Sequence, residues 1–580
     1  MTPPSRKQIL LSLLVVLPLA VGGWLYANRR QRIDIARYVP ETAIGYLEVN
    51  DWPQLLGRLT STQAWQQLAP AYGISDKLNY AGRFGWLASL TGSGETALLA
   101  RSQFAVAVTG IEVRGEEVKP HLALIAETHG NPEALRRVVE ARLPELARNA
   151  FGQVVKENSE YSGVKVTSYR AAEADRGLFA AQIESELIVT NQLDSLRACI
   201  DTRLGRTASI TNNFYLQNSR SIVAGDGTAF GFVTGDGVTR LLRFGAFLLS
   251  GGAIGKAALA GAVGQVFTEF STRATDGIAY GASFKDGQVV DRYALLFKPE
   301  LVDALNATVK PNAKPARAFD VIPAAASGVT LINVDNPMKT LDGIEAAISA
   351  RVDAGQSFLL HQFVLGARET FFGMKKGNKP EEAIGDEIAS FDLPARRSSP
   401  ERPDEPDRIW LIAVRDAALM LTIAERAMIA NGAELSREKH AGVEIINSSD
   451  AARGSVAFIG DFVALGKREQ LMRLIDLLGA GRSLKAVPQF AAANKFPQPV
   501  AIESFASVKE DAHAMMAAIA RWETGKAATP QPALDQLPLS ASGTSAGERG
   551  IYIESRSPFG NFPFFISLIA GSTNNRKMEN

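Results

Sequence analysis

Along the chain, short apolar runs of strand length alternate with longer stretches whose apolar positions recur every three or four residues, the two signatures of strand and amphipathic helix. One stretch sets the pattern: Val39-Pro40-Glu41-Thr42-Ala43-Ile44-Gly45-Tyr46-Leu47-Glu48-Val49-Asn50-Asp51-Trp52-Pro53. It runs apolar-proline, a turn of small residues, an apolar strand, then Asp-x-Pro opening a helix. The same plan returns from Ile322-Pro323 through Val329-Thr330-Leu331-Ile332-Asn333-Val334 to Asp335-Asn336-Pro337.

Three further matches follow in the same order. Leu122-Ala123-Leu124-Ile125-Ala126 corresponds to Ile409-Trp410-Leu411-Ile412-Ala413; both read as buried strands, and helical periodicity follows at 132–143 and 416–429. Ser162-Gly163-Val164-Lys165-Val166 corresponds to Ala441-Gly442-Val443-Glu444-Ile445, a turn glycine feeding a half-buried alternating strand. Residues 177–191 correspond to 454–467, where Gly460-Asp461 between two apolar runs is a two-residue hairpin signal. Short helices are predicted next, at 194–200 and 469–478. The offsets are 323−40=283, 411−124=287, 442−163=279 and 454−177=277, a drift that loop insertions and deletions produce. Paired strands close each copy, at 278–284 with 289–297 and at 537–542 with 551–554.

These recurrences predict an α+β fold made by tandem duplication of one module. Each module is an antiparallel or mixed sheet with helices packed on one side. The expected organisation is a stub at 1–8, a membrane anchor at 9–27 and a juxtamembrane segment at 28–37. The first module then covers 38–305, a proline-containing linker 306–318, the second module 319–570 and a polar tail 571–580. Lys310-Pro311-Asn312-Ala313-Lys314-Pro315 reads as a semi-rigid connection. Residues 394–407, with Pro394, Pro400, Pro403 and Pro406, read as a surface loop.

The anchor expectation rests on Ile9 to Tyr26, a nearly unbroken apolar run of about 18 residues, the lower end of what spans a bilayer. Trp24 and Tyr26 stand where an interfacial aromatic belt lies. A cleaved signal peptide is the rival reading, with Ala20-Val21-Gly22 as small residues, but the apolar run continues past them. Arg29, Arg30, Arg32 and Arg37 after the run outnumber Arg6 and Lys7 before it, against the charge rule for an exported body. Long domains nevertheless cross largely regardless of such charges. The expectation is a single-pass cell-membrane protein with an extracytoplasmic, periplasmic body.

The Val-Pro-x5-Tyr-Leu opening after one apolar N-terminal helix, with the Gly-Asp hairpin, apolar strand and short helix downstream, resembles a bacterial domain-of-unknown-function family. Its members are envelope proteins anchored by a single helix. The resemblance covers most of 37–570. It implies an envelope location and no assigned activity, so it transfers no catalytic residue. The second copy carries Val329 where the first has Tyr46, which makes the aromatic an unlikely essential group.

Composition narrows the functional classes. A net charge of +1 over 580 residues lacks the basic field that broad nucleic-acid binding needs, so no nucleic-acid partner is expected. The single cysteine, Cys199, excludes an intramolecular disulfide and reads as a buried, inert thiol. Gly543-Thr544-Ser545-Ala546-Gly547 matches a nucleophile elbow, which requires a strand before the serine and a helix after it. Strands are predicted on both sides, so the stretch is expected to be a hairpin loop. Gly251-Gly252-Ala253-Ile254-Gly255-Lys256 approaches a phosphate loop but fails at Ser250 and Ala257. His121, His129, His361, His440 and His513 show no metal-ligand spacing. Asp51 and Asp335 occupy equivalent places; a carboxylate pair is conceivable, and helix capping before the proline is the preferred reading. No catalytic, cofactor-binding or metal-binding residue is assigned, and no cofactor is expected.

Residues 244–270 are unusually rich in small and apolar side chains, whereas their counterpart near Val508 to Trp522 is an ordinary amphipathic helix. A loosely packed helical pair that covers an apolar cavity or faces lipid is expected there. The apolar stretch 559–570 is too short to span a bilayer. The functional expectation is a non-catalytic binding module for an apolar ligand, a lipid among them, or for a protein partner. A scaffold or accessory subunit of a membrane assembly is the alternative, and a hydrolase the second alternative.

Overall fold

The computed structural model describes residues 32–563 apart from 76–97, 99, 101, 115–116, 131, 173–175, 224–227, 251–253, 373–379, 394–406, 430–432, 451–452, 497–498, 525–533 and 535–536. The chain forms two compact units, one of Met1–Gly57 with Asn79–Asn212 and one of Arg58–Leu78 with Asn213–Asn580.

Among the described residues the first unit is built on seven antiparallel strands: β1 (Gly45–Val49), β2 (Gln103–Arg114), β3 (Glu117–Glu127), β4 (Val154–Tyr161), β5 (Val164–Ala171), β6 (Gly177–Ile183) and β7 (Glu186–Thr190). They lie in the order β1-β2-β3-β7-β6-β5-β4. After β1, α1 (Trp52–Thr60) crosses the boundary between units, and α2 (Gln63–Ala71) belongs to the second. Helix α3 (Pro132–Phe151) joins β3 to β4, and α4 (Leu193–Arg203) follows β7. Ser162 and Gly163 make the β4–β5 turn with φ of 56° and 82°; two consecutive left-handed residues match the twist of an antiparallel pair. The opening is stitched down where predicted to turn: Pro40 bridges Ser209, and Ile210 N–H donates to Val39 C=O at 2.9 Å.

Side chains alternate across a strand. Ala105, Ala107, Ala123, Ile125, Ala181 and Ile188 fall on one face and are only 0–2% exposed. Helix α4 packs against β3, β6 and β7. The other parity carries Tyr169, Ala180 and Val189, which pack with Leu143 and Ala147 of α3.

Among the described residues the second unit holds thirteen antiparallel strands. The first seven in chain order are β8 (Ala229–Thr234), β9 (Thr275–Lys285), β10 (Gln288–Phe297), β11 (Ser327–Asn333), β12 (Ile384–Leu393), β13 (Asp407–Val414) and β14 (Leu435–His440). The rest are β15 (Val443–Ser448), β16 (Ser455–Ile459), β17 (Phe462–Gly466), β18 (Ile502–Ala506), β19 (Ser540–Gly547) and β20 (Gly550–Ser557). Their order is β8-β9-β10-β20-β19-β18-β11-β12-β13-β17-β16-β15-β14. The helices are α5 (Phe214–Val223), α6 (Gly235–Ser250), α7 (Ile254–Ala274), α8 (Pro299–Thr308), α9 (Ala318–Val321) and α10 (Pro337–Ser349). They continue with α11 (Ala354–Phe372), α12 (Pro380–Ala383), α13 (Ala417–Ile429), α14 (Arg468–Gly479), α15 (Pro488–Ala493) and α16 (Lys509–Thr524). One face packs Ile409, Leu411, Ala457 and Ala464 against Leu471 and Leu474 of α14; the other packs Ile412, Val456 and Val463 against Met420 and Ile423 of α13.

Within the expected semi-rigid linker, Pro311 bridges Val334, and Arg317 pairs with Asp386 at 2.8 Å and Glu387 at 3.3 Å. Two expectations are corrected here. Helices cover both faces of the sheet rather than one, because β3 and β13 carry apolar residues at both parities. The second concerns the single-pass membrane protein with a transmembrane helix and a periplasmic body. Among the described residues no helix is long and apolar enough to cross a membrane. The longest helices show why: α3 carries Glu133, Arg136, Arg137, Glu140, Arg142, Glu145 and Arg148, and α7 carries Lys256, Glu269 and Arg273. A charge at mid-bilayer depth costs about 3 kcal/mol. The expected anchor, 9–27, lies outside the described residues, as do the tail 571–580 and residues 394–406 of the proposed loop.

Candidate functional site

The first unit contains an apolar cleft of about 750 Å³ between its sheet and α3. Its floor is the outer parity of β2, β3 and β7, where Val106 pairs with Leu124 and Leu124 with Val189. Its wall is the apolar stripe of α3, including Leu135, Val139, Leu143 and Leu146. Helix α3 packs on β4, β5 and β6, which leaves the β2–β3 part of the floor uncovered by it. Val106, Leu122 and Leu124 are 42%, 38% and 41% exposed, and Leu146 is 58% exposed. Burying a side chain of this kind is worth about 1.5–3 kcal/mol, so four open ones form an unsatisfied apolar surface.

The polar residues that line it are Ser102, Thr128, Arg142, Thr190 and Asn191. Asn191 accepts from Leu122 N–H and donates to Pro120 C=O, both at 2.8 Å, which ties the end of β7 to the start of β3. Thr128 donates to Ser185 C=O at 2.8 Å, closing the other end of the strand pair. The cleft's mouth is thus held by hydrogen bonds that its own polar residues make to the backbone.

The residues singled out in the sequence lie elsewhere. Ser545 sits inside β19 opposite Tyr552, with strand on both sides and the reversal between Gly547 and Gly550. It is neither at an elbow nor in a hairpin loop. Asp51 Oδ1 accepts from Gln54 N–H at 2.9 Å and so caps α1. Asp335 does not cap: Asn336 accepts from Lys339 N–H at 3.1 Å at the head of α10. The histidines are dispersed. His129 bonds Gln103 at 2.7 Å, His361 bonds Glu345 at 2.6 Å, and His440 bonds Asp476 at 2.6 Å. His513 bonds Tyr72 at 2.5 Å, and His121 stands 3.9 Å from Glu112. Among the described residues no group of three or more His, Cys, Asp or Glu side chains could hold a metal ion. Cys199 is fully buried, and burial pushes its thiol up to about 12, far from a reactive thiolate.

Residues 251–253 of the glycine-rich stretch lie outside the described residues. Around them the chain forms α6 and α7, and Phe270 of α7 packs on Phe297. The C-terminal apolar residues from 564 onward also lie outside the described residues. Sequence reasoning missed Val106, Leu122, Leu124 and Leu146. The available signal was the apolar character of both parities of 122–126, read there as burial on both faces.

Comparison with protein families, with curated proteins and with solved structures found no match in any of the three.

Proposed function

We propose that this is a non-catalytic binding protein whose first unit takes up an elongated apolar small molecule in the cleft over β2, β3 and β7. The observation that carries the reading is the open apolar floor of Val106, Leu122 and Leu124. The volume of about 750 Å³ lies within the range of small-molecule sites. The α3 wall from Leu135 to Ala150 is about 22 Å long at 1.5 Å per residue, which favours a chain-like ligand over a compact one.

We also infer that the scaffold arose by duplication of one module. The path β1-β2-β3-β7-β6-β5-β4 has its parallel in β11-β12-β13-β17-β16-β15-β14. Pro323 bridges Ser483 as Pro40 bridges Ser209, and Ala441-Gly442 turn with φ of 46° and 87° as Ser162-Gly163 do. Strands β8-β9-β10 and β18-β19-β20 likewise correspond, each an antiparallel run of neighbours in the sheet.

The binding reading is tested with a fluorescent long-chain acyl probe titrated into the purified chain. Saturable binding is expected, with displacement by an unlabelled long-chain fatty acid. Leu124→Arg should weaken it at least tenfold while the protein stays folded, since Leu124 is already partly in solvent. A folded Leu124→Arg protein that binds the probe unchanged overturns the proposal.

A further inference from the structure

The second unit has a separate pocket of about 250 Å³ on its sheet where β10 meets β20. Its walls are apolar: Ile222 and Val223 of α5 on one side, Phe496 and Val500 on the other. Its floor is charged and hydroxylic. Arg292 and Glu554 are cross-strand partners, and Arg292 Nε donates to Glu554 Oε2 at 3.0 Å. Arg556, two residues along β20, donates to Glu554 Oε1 from Nε at 3.0 Å and from Nη2 at 2.8 Å. Gly543 is the third floor position; a Cβ there would stand 2.9 Å from the Phe496 ring and 3.0 Å from Val500, so glycine lets that wall close in.

Two guanidinium groups, Arg292 in the pocket lining and Arg556 beyond it, share the Glu554 carboxylate. Burial acts to raise the Glu554 carboxyl, but the hydrogen bonds from Arg556 and Arg292 outweigh it, and the group stays ionised. The only hydrogen-bond acceptor found for Arg292 among the described residues is Glu554, through Nε, so its Nη groups are open to a ligand. Ser545 lines the same pocket, is only 7% exposed, and its hydroxyl has no hydrogen-bond partner among the described residues.

We propose that this pocket binds a small monocarboxylate with an apolar body. The carboxylate would take the Arg292 Nη donors and the Ser545 hydroxyl, and the body would lie between Val223 and Phe496. At about 30 Å³ for each water-sized group, the space suits about eight to ten non-hydrogen atoms. A guanidinium with open Nη donors between apolar walls selects for a planar anion.

The test uses the full 580-residue chain and 4-fluorobenzoate, followed by fluorine NMR. Saturable binding is expected, at least tenfold weaker for the isosteric neutral amide, 4-fluorobenzamide. Arg292→Met should weaken the acid at least tenfold and Ser545→Ala by a few-fold. Ile222→Phe, which narrows the pocket without touching its charges, should weaken acid and amide alike. Leu124→Arg in the cleft should leave the acid's affinity unchanged, which separates this pocket from the cleft. Equal binding of acid and amide overturns the proposal, and that comparison needs no variant. So does undiminished binding by a folded Arg292→Met protein, or no saturable binding of the acid in the millimolar range.

Discussion

The outer face of β2 and β3 in the first unit and the outer face of β12 and β13 in the second follow one backbone plan but present different surfaces. Counted from the turns that lead into β7 and β17, Ile125 corresponds to Leu411, since each pairs with a buried residue of the next strand, Ile188 and Ala464. Cross-strand pairs then correspond one to one. Where the first unit has Val106 opposite Leu124, the second has Ser390 opposite Trp410; where the first has Val108 opposite Leu122, the second has Asp392 opposite Arg408. Deeper on that face, Ile384, Ile412 and Val463 are 0–3% exposed beneath α13, with Met338 of α10 in the same cluster. Helices α10 and α12 also pack on β12. One unit thus ends this face in a two-hydrogen-bond ion pair half open to solvent beside a helix-covered apolar cluster, and the other in open leucine and valine. The difference lies in a few side chains and their cover, not in the strand plan, and it is the ground for proposing that the acyl-type ligand binds in the first unit.

The largest effect should come from parity. Ile125 is fully buried and Leu124 is not, although they are neighbours. Ile125→Asp should cost about 5 kcal/mol or more, enough to unfold the first unit, because a lone charge would sit in the core. Leu124→Asp should cost less than about 1 kcal/mol. Thermal unfolding by circular dichroism reads both, and similar losses would mean that the face of β3 has been misassigned.

The second unit shows the converse mismatch, polar atoms buried without partners, among them Glu503 Oε2 and Asn333 Oδ1. Burial first, and then the nearby Glu387 carboxylate, push the Glu503 carboxyl up to about 7. A carboxyl whose folded pKa lies above its unfolded value binds its proton more tightly in the native state. Its contribution to stability is therefore greatest at low pH and is lost as pH rises from the ordinary carboxylate range through about 7. The loss is of order 3 kcal/mol at most. Glu503→Gln should flatten the decline in unfolding temperature between pH 5 and pH 8. Parallel pH profiles for the two proteins would remove Glu503 as the cause.

How much of this was legible beforehand depends on which residues carry a rule of their own. Gly163, Gly442 and Gly460 turn where their conformational preference says they should, because left-handed φ is a local demand that glycine meets. The strand runs around Leu124 and Leu411 were also visible, but not their register. Aligning 122–126 with 409–413 sets Leu124 against Leu411, one residue away from the pairing above. A one-residue slip exchanges faces, and in a run apolar at both parities nothing local penalises it. The cleft was hidden for the same reason: Leu122 and Leu124 look like buried residues, and only the reach of α3 over β4–β6 leaves them open. The arginine-rich floor of the second pocket needs Arg292 and Glu554 together, residues 262 positions apart in sequence.

A transplant of the mouth tests the comparison directly. Val108→Asp with Leu122→Arg would place the second unit's ion pair on the first unit's cleft. Probe binding should fall about tenfold, while stability changes by no more than about 1 kcal/mol, since both positions are partly exposed. Unchanged binding would show that the mouth does not decide which unit takes a ligand.

The smallest expected effect is the loss of the original ion pair. Arg408 donates to both oxygens of Asp392, from Nε at 2.9 Å and from Nη2 at 3.0 Å. Hydrogen bonding to Asp392 raises the Arg408 pKa. Half of the arginine side chain is nevertheless in solvent, so water and salt screen the attraction, and ordering the long side chain offsets part of the gain. Arg408→Ala should therefore cost only ~0.5 kcal/mol, and less at high salt. It should also leave the second unit unable to bind the acyl probe, because α10, α12 and α13 still cover that face. The informative pairing is stability with binding in a protein that also carries Leu124→Arg, so that the first unit's cleft is silent. If that double variant gains probe binding, the ion pair rather than the helical cover is what keeps the second unit closed. If it stays silent at nearly wild-type stability, the cover is responsible and the ion pair is a surface feature of little weight.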